Sequence, residues 1–170
     1  IRTLSIANCS TAYNVFEGDQ TNQNLKVLNA SNVIVDNPSL THNVFNVYKP
    51  LNGAVINIKD SRFNLTVDNS NVLRISNTSN ATDVTVNFEN IEWNYENGLS
   101  FNDWRWAGLI IYQPYSTDSG LSGDLTAMKT WKFNFKNCKY NGVKVNANNF
   151  GQHNQVFYLY CVGTSGSVKD

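Results

Sequence analysis

Apolar and polar positions alternate in three short stretches that align without gaps: Ile56-Asn57-Ile58-Lys59-Asp60, Val86-Asn87-Phe88-Glu89-Asn90 and Phe133-Asn134-Phe135-Lys136-Asn137. A period of two puts both apolar side chains of each stretch on one face, the mark of a half-buried strand. Each stretch runs on through two variable residues to an aromatic and an asparagine: Phe63-Asn64, Trp93-Asn94 and Tyr140-Asn141. The Asn or Asp at the fifth position tolerates a left-handed backbone better than other non-glycine residues. The pattern therefore predicts a strand, a corner and a second short strand. A looser fourth copy starts at Leu25 and Val27, turns at Asn29 and resumes at Val33.

Between these copies lies a second family of apolar stretches: Tyr13 to Phe16, Val44 to Tyr48, Val72 to Ile75, Leu109 to Tyr112 and Val156 to Tyr160. Each of the first four precedes one copy of the corner motif, and the last opens a further turn. The corners step by 90 − 60 = 30 and 137 − 90 = 47 residues. Constant strands joined by connections of variable length are what a stack of repeated units produces. Hardly any stretch carries a helical period.

Charge checks the register independently. In a parallel stack Lys59, Glu89 and Lys136 fall in one column, and Arg62, Glu92 and Lys139 in another. Both columns alternate in sign, so each glutamate sits between two cations. Like charges placed directly opposite would be destabilising.

The expected fold is all-β, a right-handed parallel β-helix (solenoid) of about four coils with variable loops. Residues 1–12 would form an N-terminal extension and candidate assembly strand, 13–162 the β-helix, and 163–170 a flexible polar tail. On its corner asparagines and the aromatics that follow, the chain resembles the right-handed parallel β-helix proteins, the group of pectate lyases, polygalacturonases and phage tailspikes. The resemblance spans roughly Tyr13 to Tyr160 and bears on fold rather than function. A β-sandwich is the alternative, but it gives no reason for one motif to recur in register.

Composition narrows the picture. Asparagine makes up about one residue in six, which suits tight turns and disfavours helix interiors. Thirteen basic residues balance 13 acidic ones, which argues against nucleic acid as a partner. No apolar run is long enough for a membrane span. The chain begins at Ile1 with neither an initiator Met nor a signal peptide, so a mature or excised form is expected. Cys9, Cys138 and Cys161 fit neither a disulfide scaffold nor a metal site.

Candidate chemistry is sparse. Enzymes of the resembling group work on acidic polysaccharides with clustered aspartates, or with calcium and an arginine. This chain has no Asp-Asp pair, Asn-Thr-Asp or Arg-Ile-Lys, so no catalytic residues, metal or cofactor are expected. Glu89 and Glu92 belong to the charge columns and Asp60 to a corner. His42 and His153 lie in expected loops without a partner that sequence supplies.

The richest segment is Glu96 to Trp106. There Asp103, Trp104, Arg105 and Trp106 could stack on and hydrogen-bond a sugar, or cap a coil or seal a subunit contact. Five sequons occur, at Asn8, Asn29, Asn64, Asn77 and Asn80, and about four would arise by chance from this composition. Asn64, Asn77 and Asn80 are the preferred glycosylation positions.

The expectation is a non-catalytic structural subunit of an extracellular or virion-surface assembly: a fibre, filament or decoration protein. It would associate end to end with itself as a homo-polymer or homo-oligomer. Ile1, Leu4, Ile6, Cys9 and Cys161 are the intersubunit candidates. The alternative is a carbohydrate-active β-helix that binds or cleaves polysaccharide, with glycans as partners.

Overall fold

The computed structural model describes residues 3–11, 15–17, 25–37, 43–65, 71–76, 81–95, 107–113, 130–141 and 155–161. They form strands β1 (Thr3–Thr11), β2 (Phe16–Glu17), β3 (Val27–Asn37), β4 (Asn43–Tyr48), β5 (Val55–Leu65) and β6 (Asn71–Ser76). Further on come β7 (Thr85–Tyr95), β8 (Ala107–Gln113), β9 (Lys132–Lys136), β10 (Lys139–Asn141) and β11 (Gln155–Cys161). Two sheets collect them. The first has the order β1-β3-β5-β7-β10, with β9 also on β7, and the second has β11-β8-β6-β4-β2. Every pairing is parallel. Strands β9 and β10 lie end to end along one edge of β7, so among the described residues each sheet has five rows. The chain visits the two sheets in alternation and advances one row at each visit.

The register is the one that the repeats predict. Val86 pairs Ile56 and Phe133, Phe88 pairs Ile58 and Phe135, and Trp93 pairs Phe63 and Tyr140. Phe63 and Trp93 are fully buried and Tyr140 is half-buried at the end of its column. Burying one such large side chain contributes about 1.5–3 kcal/mol. Trp93 packs against Tyr140 at 5.5 Å, and Phe63 meets Phe45 of the second sheet edge-on at 6.0 Å. That last contact shows that the two sheets share one core.

Corners fall where a left-handed residue can stand. Asn32, Asp60, Asn90 and Asn137 have φ of 54°, 50°, 53° and 50° and occupy equivalent positions in successive rows. This corrects the fourth copy, where the corner is Asn32 rather than Asn29. Its inward pair is Leu28 and Ala30, which pair Ile56 and Ile58, rather than Leu25 and Val27. Asn29 instead pairs Asn57, the outward asparagine of the motif. Residues 3–11, expected within the N-terminal extension, are the outermost row of the first sheet, with Leu4 opposite Leu28 and Ile6 opposite Ala30.

A second set of stacked turns leads into the first sheet. Gly53, at φ 64°, donates its N–H to Thr82 O at 2.7 Å, and Thr82 N donates to Asn52 Oδ1 at 3.0 Å. Asp83, at φ 57°, donates its N–H to Thr130 Oγ1 at 2.7 Å. Next to it Trp131 Nε1 donates to Ala81 O at 2.7 Å. Gly53 holds the position that Asp83 holds in the next row, and glycine adopts this left-handed φ without strain. Among the described residues no helix is long and apolar enough to cross a membrane.

Candidate functional site

The outward face of the first sheet carries most of the described polar chemistry, and asparagine dominates it. Asn57 Nδ2 donates to Asn29 Oδ1, Asn87 to Asn57, and Asn134 to Asn87, each at 2.7 Å. A second ladder follows the corners: Asn90 donates to Asp60 at 2.7 Å and Asn137 to Asn90 at 3.1 Å. A third runs from Asn141 to Asn94, from Asn94 to Asn64 at 2.7 Å, and from Asn64 to Asp36 at 3.2 Å. In all three the carboxamide nitrogen of the later row donates to the oxygen of the earlier one. Parallel rows make this possible, because identical residues then lie one strand spacing apart.

Between the ladders stand the two charge columns, in the expected register. Lys136 pairs with Glu89 at 2.5 Å and Lys139 with Glu92 at 3.3 Å. The hydrogen bond and charge of Glu89 push the Lys136 ammonium up from its ordinary value. Asn29, Ser31, Asn57, Lys59, Asn87 and Glu89 line a shallow groove of about 350 Å³ on this face. It offers amide and hydroxyl groups with one charge of each sign, a surface for hydrogen bonding. It contains no base–nucleophile pair, and among the described residues no group of His, Cys, Asp and Glu is arranged to hold a metal.

At the β9–β10 edge the interior columns open. Phe88 is buried, whereas Phe135 in the next row is 38% exposed. Burial pushes the free Cys138 thiol up, and it pushes the Tyr140 phenol up to about 12. Elsewhere among the described residues, two buried polar atoms lack a hydrogen-bond partner: Trp93 Nε1 and, on β4, Asn46 Oδ1. Asn46 spends its nitrogen on Tyr48 Oη at 3.0 Å.

Of the residues singled out from sequence, Asp103, Trp104, Arg105, Trp106, Ile1, Asn77 and Asn80 lie outside the described residues, as do His42 and His153. Asn29 and Asn64 are members of ladders, and the Asn64 nitrogen that a glycan would use donates to Asp36. Leu4, Ile6, Asn8 and Cys9 lie on β1, and Cys161 lies on β11 opposite Gln113. Cys9 and Cys161 therefore belong to different sheets. The ladders were missed in sequence, although a signal existed: Asn57, Asn87 and Asn134 hold the same outward position in all three motif copies. Comparison with known proteins finds no matching family model, curated protein or solved structure.

Proposed function

We propose that the chain is a right-handed parallel β-helix and serves as a non-catalytic structural subunit of an extracellular or virion-surface assembly, joining copies of itself end to end. The observation that carries this reading is the open edge at β9 and β10. There the interior column passes from Phe88, 1% exposed, to Phe135, 38% exposed. A sheet edge that also exposes an apolar side chain favours addition of another strand. Monomeric solenoids generally cover such ends with a polar cap. Contact between unlike ends of identical subunits makes rings or open filaments.

Sedimentation and electron microscopy of the full chain over a concentration series test the reading. Polymers are expected, and Phe135→Lys should give a folded monomer with an unchanged far-ultraviolet spectrum. A full chain that remains monomeric at high concentration sinks the proposal. The groove along Asn29, Asn57 and Asn87 favours a second reading, in which an extended glycan lies across the carboxamide row. Glycan binding by a chain that never polymerises would favour that reading instead.

A further inference from the structure

We infer that a second copy adds its β1 in parallel to the β9–β10 edge in one register, with Leu4, Ile6, Asn8 and Cys9 opposite Phe133, Phe135, Asn137 and Cys138. The inference rests on the end-to-end reading above and gives it an atomic address.

Three observations lead to this occupant. The first is the continuity of the columns. Leu4 pairs Leu28, whose column continues through Ile56 and Val86 to Phe133, and Ile6 pairs Ala30, whose column ends at Phe135. Asn8 falls at the corner position of Asn32, in the column that ends at Asn137. Cys9 pairs Val33, and the same count carries that column through Ser61 and Ile91 to Cys138. In these four columns one translation along the stack sets aliphatic on aromatic, asparagine on asparagine and cysteine on cysteine.

The second observation is the polarity of the ladders. Asn134, Asn137 and Asn141 spend their nitrogens on the row before, so their oxygens terminate the three ladders at this edge. A parallel row in this register sets Ser5 and Asn8 opposite Asn134 and Asn137.

The third observation is charge. Lys132, Lys136 and Lys139 are all exposed along this edge. Two such edges brought together would set lysines against lysines, and like charges directly opposite are destabilising. In the β1 row the corresponding positions are Thr3, Ala7 and Ser10, none of them charged. Head-to-tail addition is therefore favoured over pairing of like ends.

The cysteines report the register. Neighbouring strands stand about 4.8 Å apart, which lies within the Cα separation of about 4.4–6.8 Å that a disulfide spans. Polymers of the full chain are treated with copper–phenanthroline in air, run on non-reducing gels and mapped by peptide mass. The expected result is a ladder of covalent oligomers linked Cys9 to Cys138, abolished by Cys9→Ser or Cys138→Ser and kept by Cys161→Ser. Polymers linked Cys138 to Cys138, or through Cys161, overturn this register and leave end-to-end association standing. Polymers of the full chain that give no Cys9–Cys138 link also overturn it. A chain that never polymerises overturns both.

Discussion

The two sheets share one interior yet are held in register by different means. In the first sheet the strands alternate: on β7, Val86, Phe88 and Trp93 are buried while Thr85, Asn87 and Glu92 are only partly covered. In the second sheet β4 is buried along its whole length and on both faces. A strand buried on both sides is fixed by packing, since a slip of one residue would exchange every contact. A strand with one wet face lacks half of that constraint. The first sheet replaces it with carboxamide ladders and alternating charges, which only one register satisfies. Even the second sheet has, among the described residues, such a pair, Asn71 Nδ2 donating to Asn43 Oδ1 at 2.8 Å, buried on the β4 face that carries Phe45.

The shared interior gives the largest expected effects and should erase the difference between the sheets. Trp93→Ala in the first and Phe45→Ala in the second should each cost about 3–5 kcal/mol, the range for removing a fully buried aromatic. Denaturant midpoints measure both. If one loses far less than the other, the two sheets do not share one cooperative core.

The buried and exposed asparagines should then separate the sheets. Asn71→Ala leaves Asn43 Oδ1 buried without its donor and should cost about 1–3 kcal/mol. Asn87→Ala breaks two bonds on the wet face, where water replaces them, so a loss below about 1 kcal/mol is expected. A larger loss at Asn87 than at Asn71 would mean that the outward ladder, and not packing, dominates the register. The corner asparagines add a conformational part. Asn90→Ala should cost about 1–2 kcal/mol because alanine resists the left-handed region. Asn90→Gly should recover much of that loss, though not the ladder bonds.

Sequence made the inward face legible and left the outward face half read. The aromatic column, four of the five strands of the second sheet and both charge columns could be read because each rests on a contrast of residue type, whereas the stretch from Tyr13 to Phe16 meets β2 only at Phe16. Asparagine offers no such contrast here. It serves at corners, as Asn90 and Asn137 do, and in ladders, as Asn87 and Asn134 do, and the two roles ask for the same side chain. That ambiguity moved the corner of the fourth copy to Asn29 instead of Asn32. The first row reads in sequence as an extension and assembly strand, not as a member of the stack, for a related reason. Leu4-Ser5-Ile6-Ala7-Asn8 fits the strand and corner, but no aromatic-asparagine pair follows it.

Alkaline titration probes the open edge of the first sheet. The folded state holds the Tyr140 phenol up to about 12 against an ordinary value of 10.0. A group whose folded value is raised contributes fully below its unfolded value and loses that contribution as pH rises through the folded one. Stability should therefore fall between pH 10 and about 12, and Tyr140→Phe should flatten that fall. An unchanged slope in the variant would show that the phenol is solvated, and that the edge is looser than the interior.

The smallest effect belongs to the surface ion pairs. Lys136 is also raised, chiefly by its hydrogen bond to Glu89, so its contribution is complete below 10.5 and fades at higher pH. Both partners are well exposed, at 69% and 42% for the two side chains, and exposed pairs contribute little. Lys136→Met should lower the unfolding midpoint slightly in dilute buffer. The difference should vanish near 1 M salt, where the screening length falls to about 3 Å. Persistence of the loss at high salt would assign the role of Lys136 to packing of its aliphatic stem rather than to charge. The alternating columns would then be a consequence of the stack, and the carboxamide ladders alone would hold the wet face of the first sheet in register.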